Sequence, residues 1–161
     1  MLGLGSNVGD RVENLRTALR LVDEVVETSV VETSSFYETE PRLFEEQPDF
    51  VNACAIAVTS LSPTALLDAL LGVERTMGRE RRIENGPRLI DLDLLFYGDE
   101  VVDTDRLTVP HPGVAERAFV LVPLSDIAAD FVHPTEGRTV EQLCRDCPDT
   151  GWVRAITNSV A

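Results

Sequence analysis

The sequence predicts an α+β domain with the ferredoxin-like element order β-α-β-β-α-β, followed by an α-rich C-terminal part. Segments rich in β-branched residues alternate with segments whose apolar residues recur at helical spacing. The length of 161 residues suits a single domain spanning 1–161. The sequence has no internal repeat, and no apolar run approaches the ~20 residues of a membrane span.

A strand and a helix open this order. Residues 1–5 are typical of a short strand, and the turn that follows them is rich in glycine. Asp10 and Glu13 form a capping box at the start of a helix. The apolar face of this helix has four members, Leu15, Ala18, Leu19 and Val22.

Two long strands and a second helix follow. Residues 25–37 are rich in β-branched side chains and predict one strand, and residues 50–59 predict the other. Residues 38–48 between them are polar and bounded by proline, which indicates a loop. Ser62 and Pro63 mark the start of a helix. Its apolar residues are Leu66, Leu67, Leu70, Leu71 and Val73.

The remaining elements are shorter. Residues 78–89 are charged and contain a Gly-Pro pair, so we expect a mobile loop there. A strand with two aspartates follows, and residues 107–109 predict another short strand. The last part predicts a helix over 116–127, with Pro123 as an interruption, and a short helix over 139–147.

The charge balance limits the possible partners. The net charge is -14, and nucleic acids and anionic membranes both require a basic surface, so neither is expected as a partner. A triphosphate remains possible because distant acids are screened beyond about 8 Å at physiological salt. All 14 basic residues are arginines, which excludes mechanisms that depend on lysine.

The three cysteines point to ordinary thiols. Cys54 lies in an apolar run that is typical of a core strand. Cys144 and Cys147 form a lone Cys-x-x-Cys pair, whereas a structural zinc site needs four ligands. Together with the absence of a signal-like start, this composition predicts a cytoplasmic protein.

Asp91 and Asp93 carry the most informative pattern in the chain. Strand side chains alternate between faces, so both carboxylates point the same way, roughly 7 Å apart. At that distance they repel by about 2 kcal/mol at an effective dielectric of 20, and a divalent cation between them would reverse this cost. A solvated acidic strand face is the alternative. The upstream arginines favour the metal, since guanidinium groups match phosphate oxygens: Arg79, Arg81, Arg82 and Arg88.

Several motifs in order resemble one known family. They are Gly5-Ser6-Asn7, Ser35-Phe36-Tyr37-Glu38-Thr39, Gln47-Pro48-Asp49-Phe50-Val51-Asn52, Gly86-Pro87-Arg88 with Asp91-Leu92-Asp93, and Pro110-His111. The chain resembles 6-hydroxymethyl-7,8-dihydropterin pyrophosphokinases nearly end to end. The resemblance implies a three-layer α-β-α fold with a mainly antiparallel central sheet. It also implies transfer of pyrophosphate from ATP to the pterin hydroxymethyl group, which releases AMP in folate biosynthesis.

The resemblance assigns roles to individual residues. It implies that Asp91 and Asp93 hold two Mg²⁺ ions, and that these acids act in catalysis together with Arg79 and Arg88. The expected nucleotide-binding residues are Arg79, Arg81, Arg82, Arg88, His111 and Arg117. The expected pterin-binding residues are Thr39, Leu43, Phe50, Asn52 and Phe119. We expect His111 to donate a hydrogen bond to phosphate, with a purely structural role as the alternative.

A few further positions either have a supporting role or depart from the family pattern. Glu74 is expected to orient the arginine-rich loop, and either phenylalanine of the pterin set could instead belong to the core. Asn85 stands where some relatives carry tryptophan, and Pro112 where some carry tyrosine. The partners implied are ATP and the pterin, with neighbouring folate enzymes as possible associates.

Two other functions fit parts of the sequence. The element order alone is also compatible with a non-catalytic ferredoxin-like module that senses a small ligand. The Asp-x-Asp pattern also occurs in glycosyltransferases that hold a metal-bound nucleotide sugar, although they need a larger sheet. A sensing module has no need of two acids and four arginines on one face.

Overall fold

The computed structural model describes residues 1–42, 45–79 and 86–157. The strands are β1 (Leu2–Ser6), β2 (Thr28–Thr33), β3 (Tyr37–Thr39), β4 (Phe50–Thr59), β5 (Asp91–Leu94), β6 (Val102–Asp103), β7 (Thr108–Val109) and β8 (Val153–Ala155). The helices are α1 (Arg11–Asp23), α2 (Pro63–Thr76), α3 (Ala118–Ala128) and α4 (Val140–Arg145), with a short 3-10 helix at Val114–Glu116.

The main sheet has six strands and every pairing in it is antiparallel. Its order is β5-β1-β4-β3-β8, and β2 pairs with β4 beside β3. The first part of the chain therefore has the predicted ferredoxin-like arrangement, with β1 inside the sheet between β4 and β5. Strand β8 was not predicted, and it adds a further strand next to β3.

Strands β2 and β3 together replace the predicted single strand over 25–37. Both pair with β4, and the interruption between them lies at residues 34–36. Ser34 bridges this interruption, because its hydroxyl accepts from the Cys54 N–H at 2.9 Å and its own N–H donates to the Cys54 carbonyl at 2.9 Å. The backbone polar groups of β4 thus stay paired where the neighbouring strand is interrupted.

Helices cover both faces of the sheet and complete three layers. Helices α1 and α2 pack on the face that carries Leu2, Leu4 and Leu92. Helices α3 and α4 pack on the other face, around Cys54 and Phe96. Alternation along each strand therefore separates two cores, one on each face of the sheet.

Helix starts were predicted better than helix interruptions. Asp10 caps α1 by accepting from the Glu13 N–H, and Ser62 caps α2 by accepting from the Ala65 N–H. The prediction that Pro123 interrupts its helix was wrong, because α3 continues through it. Within the described ranges, no helix is long and apolar enough to cross a membrane.

Candidate active site

Two glycines of β1 shape the floor of the candidate site. Gly5 lies opposite Asp91 on one side and Asn52 on the other, and Gly3 lies opposite Asp93. Directly opposed residues share a face of the sheet, so these five residues define one surface, which we call the site face. A Cβ atom on Gly5 would lie 2.6 Å from Oδ1 of Asn52. Glycine is required there because the amide of Asn52 occupies the space above the strand.

The two aspartates of β5 lie on the same face, as predicted. Both are half-buried, and they alternate with the buried Leu92 and Leu94. The carboxylate of Asp91 accepts from Nη1 of Arg79 at 2.8 Å. The side chain of Asp93 has no hydrogen-bond or ion-pair partner within the described ranges.

This difference sets the electrostatics of the pair. Burial, and then repulsion by Asp91, raise the pKa of Asp93 to about 7, and the positive charges of Arg117 and Arg79 act in the opposite direction. Asp93 is therefore a carboxylate in an environment that disfavours its charge. A cation placed beside it would remove this disadvantage.

Glu74 of α2 organises the approach to β5, as expected from the sequence. Its Oε1 accepts from Nη1 of Arg79 at 2.7 Å and from the Leu92 N–H at 2.8 Å. The side chains of Glu74 and Arg79 are each 7% exposed, so this ion pair is buried. Burial raises the pKa of Glu74, while the bonds from Leu92 and Arg79 oppose that effect. The structure thus places Arg79 between two carboxylates.

Arg88 stands above the ring of Phe50. Its guanidinium carbon is 5.2 Å from the ring centroid, and its Nε is 3.7 Å from Oδ2 of Asp91. In the described part of the chain, the only buried side-chain nitrogens and oxygens without a hydrogen-bond partner are Nε of Arg88 and Nε of Arg79. Such buried donors without a partner are uncommon in proteins, and both belong to arginines that contact Asp91.

Asn7 holds the site loops together, a role that was not predicted from the sequence. Its Oδ1 accepts from the Arg88 N–H at 2.8 Å, and its N–H donates to the Arg88 carbonyl at 3.1 Å. Its Nδ2 donates to Oε1 of Gln47 and to the carbonyl of Pro48. The clue in the sequence is an amide side chain directly after a predicted strand, where the chain must turn.

His111 and Arg117 approach the acids from the C-terminal part of the chain. Nδ1 of His111 accepts from the Gly113 N–H at 3.1 Å, so we assign the ring proton to Nε2. Burial, and then the charge of Arg117, lower the pKa of His111, and Asp91 opposes them. A Cβ atom on Gly113 would lie 2.6 Å from Cζ of Arg117, so glycine makes room for the guanidinium.

Three of the expected pterin-binding residues lie together at the start of β4 and on the neighbouring strand β3: Thr39, Phe50 and Asn52. Nδ2 of Asn52 donates to Oγ1 of Thr39 at 2.7 Å, and both residues are buried. Thr39 pairs with Phe50 in the sheet. Phe119 lies in the first turn of α3, where Arg117 is 5.9 Å from its ring centroid. Three further expected residues lie outside the described residues: Leu43, Arg81 and Arg82.

The comparisons with known proteins identify the family of this chain. The profile of the 7,8-dihydro-6-hydroxymethylpterin-pyrophosphokinase family matches residues 1–129. The chain belongs to this family. Members transfer pyrophosphate from ATP to hydroxymethyldihydropterin in folate synthesis, so the chain is an ATP-dependent pyrophosphokinase. This assignment removes the sensing module and the glycosyltransferase as alternatives.

Individual relatives cover most of the chain. A pyrophosphokinase of Haemophilus influenzae is 46% identical over 153 residues, which are 95% of this chain and 95% of that protein. One of Synechocystis is 45% identical over 150 residues, 91% of this chain and 76% of that protein. The folic acid synthesis protein fol1 of Schizosaccharomyces pombe is 40% identical over 93% of this chain, but the match covers only 20% of that longer protein.

Solved structures share the fold. A Plasmodium falciparum HPPK-DHPS structure with pteroate superposes with a TM-score of 0.72 at 17% identity, over 90% of this chain and 43% of that one. An HPPK-DHPS structure with substrates gives a TM-score of 0.69 at 15% identity, over 90% and 42%. The chain thus spans less than half of these solved chains, and at such identity the likeness concerns the fold alone.

Proposed function

We propose that this chain performs the pyrophosphoryl transfer on the site face of its sheet. The observation that carries the proposal is that the glycines of β1 separate two acidic residues from an aromatic ring and an amide. Asp91 and Asp93 lie on β5 on one side, and Phe50 and Asn52 lie on β4 on the other. A substrate pair that lies across β1 would have its phosphates beside the acids and its flat ring beside the amide.

Magnesium fits the acidic side of the site. Carboxylate oxygens suit Mg²⁺, which commonly binds through one or two carboxylates and substrate phosphates. The unpaired, partly desolvated Asp93 next to Asp91 is the observation that favours a cation here. Asp91 and Asp93 would hold it, and two ions are proposed. When bound, Mg²⁺ neutralises charge on the phosphates and orients them.

This metal assignment has a test that does not depend on activity. A ligand that binds only the folded chain raises its stability. Magnesium chloride should therefore raise the unfolding midpoint more than sodium chloride does at equal ionic strength. In Asp93→Asn this difference should vanish. Equal midpoints in the two salts for the unmodified chain would contradict the metal assignment.

The nucleotide phosphates would lie among the arginines. The free Nε donors of Arg79 and Arg88 supply hydrogen bonds that no described residue accepts. Arg117 adds charge from α3, and His111 donates through Nε2, because its Nδ1 already accepts from the backbone. Arg81 and Arg82 are proposed as additional phosphate ligands on the basis of the sequence. These groups stabilise charge that spreads over phosphoryl oxygens during transfer.

The pterin would lie at the start of β4. Asn52 offers an amide acceptor and donor to a heterocycle with mixed hydrogen-bonding edges, and its bond to Thr39 fixes the orientation of that amide. We propose that Phe50 and Phe119 stack on the ring, and that Leu43 lies at its edge. In the reaction, a bond forms between the hydroxymethyl oxygen and the β-phosphorus. The bond between the β-phosphorus and the oxygen retained by AMP breaks, and the hydroxyl proton is released.

The identity of the nucleotide product distinguishes pyrophosphoryl transfer, which releases AMP, from transfer that releases ADP. With ATP, Mg²⁺ and 6-hydroxymethyl-7,8-dihydropterin, the chain should form AMP and pterin diphosphate in equal amounts. Formation of ADP would overturn the proposal. Asp91→Asn should abolish product formation, whereas Asp99→Asn should not, because Asp99 is an exposed acid in the turn after β5.

Three wider assignments are also proposals. We propose that residues 1–161 form one domain and that the protein acts in the cytoplasm. We further propose that it associates with neighbouring folate enzymes, because several relatives carry this region within longer folate-synthesis proteins. Copurification with the enzyme that consumes pterin diphosphate would test the association.

A further inference from the structure

Helix α3 begins without a cap of its own. Its N-cap residue is Arg117, whose side chain makes no capping bond. An arginine cannot accept a hydrogen bond, and a cation at a helix N-terminus opposes the helix dipole. The N–H of Ala118 instead donates to Oδ2 of Asp149 at 3.0 Å, so a carboxylate 31 residues away supplies the cap.

The other oxygen of Asp149 binds a different part of the chain. Oδ1 lies 3.0 Å from Nη2 of Arg42 and accepts from the Gly151 N–H at 2.8 Å. The Asp149 side chain is only 3% exposed, so its charge is desolvated and depends on these partners. The same segment holds Glu40, whose Oε1 accepts from the Trp152 N–H at 3.2 Å.

The contacts of Asp149 with Ala118 and with Arg42 both lie close in sequence to residues of the proposed pterin site. Ala118 lies between Arg117 and Phe119 at the start of α3. Arg42 lies three residues after Thr39, which is bonded to Asn52. A single buried carboxylate therefore links the start of α3, which carries one proposed stacking ring, to Arg42, which follows β3.

We propose that Asp149 is a positioning residue for the transfer, which holds the start of α3 against the loop after Thr39. The proposal rests on the proposed function of the site. Asp149 lies beyond residues 1–129, the part matched by the family profile. Its carboxylate supplies the hydrogen-bond acceptor that Arg117, at the N-cap position, lacks.

Gly151 supports the arrangement from the same segment. A Cβ atom there would lie 2.8 Å from Nη1 of Arg42 and 2.9 Å from Oε1 of Glu40. Both contacts are shorter than real Cβ atoms show, and Oδ1 of Asp149 would lie at 3.0 Å, so a larger residue would require the ends of these side chains to shift. Gly151→Ala is therefore a second way to disturb the link without removing the carboxylate.

The test separates substrate binding from turnover. Asp149→Ala should raise the KM for the pterin about tenfold, because misplacing the start of α3 weakens ring binding, and should change kcat less. Asp149→Asn should lie between Asp149→Ala and the unmodified chain, since its amide oxygen still accepts from Ala118 but no longer pairs with the charge of Arg42. Asp146→Asn is the matched control, because among the described residues that exposed acid forms an ion pair only with Arg138, at 3.6 Å.

A double-mutant cycle keeps the proposal testable if Asp149→Ala fails to fold. In the background of Arg42→Gln, the additional change Asp149→Asn should raise the KM by less than it does alone. If the effects of the two changes on the KM multiply independently, the proposal is overturned. It is also overturned if the Asp149 variants have the same pterin KM as Asp146→Asn. An unmodified chain that forms no AMP would refute the proposed function itself, whereas an active chain with unaffected Asp149 variants would refute only this inference.

Discussion

Asp93 has a carboxylate that is desolvated next to a second carboxylate. Its pKa is raised to about 7 by burial and by Asp91, so the folded chain without a bound cation is less stable for having this charge. Residues that serve a site often carry such a cost. Burial next to Asp91 disfavours the charged carboxylate when no cation is bound, and for the same reason Asp93 is a good partner for a cation.

The substitution Asp93→Asn should therefore separate stability from activity. We expect kcat/KM to fall by about 10³-fold, the scale for loss of one essential electrostatic group. The thermal unfolding midpoint should stay equal or rise, because the amide is neutral and has nearly the same shape. Steady-state kinetics and calorimetry would check both parts. A variant with full activity would remove Asp93 from the metal site.

Gly5 also acts at the scale of one residue. In Gly5→Ala the new methyl group would lie 2.6 Å from Oδ1 of Asn52 and should push that amide away from Thr39. We expect the KM for the pterin to rise about tenfold. Gly3→Ala is the matched comparison, because its Cβ would meet Leu95 at an ordinary 3.4 Å. If the two alanine variants behave alike, the steric explanation is wrong.

At the scale of elements, Glu74 connects α2 to both the arginine and β5. Glu74→Gln keeps an acceptor for the Leu92 N–H but loses the charge that pairs with Arg79. Removing one partner of a buried ion pair costs about 3 kcal/mol or more. Because Arg79 still pairs with Asp91 in this variant, we expect a smaller loss in the free energy of unfolding, about 1.5 kcal/mol, measured by urea denaturation. Glu136→Gln, a change in an exposed ion pair with Arg138, should cost almost nothing.

Tyr37 and Asp126 connect β3 to α3. The Tyr37 hydroxyl donates to the Asp126 carboxylate at 2.7 Å. Burial, and then this bond and the negative charge, raise the pKa of Tyr37 from 10.0 to about 12. The folded state thus holds the phenol proton more tightly than the unfolded state does. The stability linked to this group is present below pH 10 and is lost as the pH rises toward 12.

This linkage predicts a pH dependence with a known sign. The free energy of unfolding should fall between pH 10 and 12, and Tyr37→Phe should reduce the slope over that range. Denaturation curves at several pH values would measure both slopes. The same slope in both proteins would show that Tyr37 titrates normally in the folded chain.

At the scale of the whole molecule, the net charge of -14 produces self-repulsion in the compact state. Raising ionic strength toward about 0.15 M shortens the Debye length to about 8 Å and screens this repulsion. We therefore expect the thermal midpoint to rise with sodium chloride over that range. A midpoint that falls with salt would mean that attractive ion pairs outweigh the repulsion.

Local patterns predicted most elements and several site residues. The alternation of Asp91 and Asp93 with leucines predicted their common face, and short polar residues predicted the caps of α1 and α2. The same reasoning failed at Pro123, because tertiary packing of α3 overrides a local helix-breaking preference. It also missed β8, whose three residues carry no clear period and which forms by pairing with β3.

The sequence by itself determined the fold class, the pair of acids and the family, because periodicity and short motifs are properties of neighbouring residues. Only the tertiary structure showed that Arg79 lies between Glu74 and Asp91, that Asn7 joins two loops, and that Asp149 caps α3. Those contacts join residues far apart in the chain. They depend on how the layers pack, and no local pattern encodes the distance between such side chains.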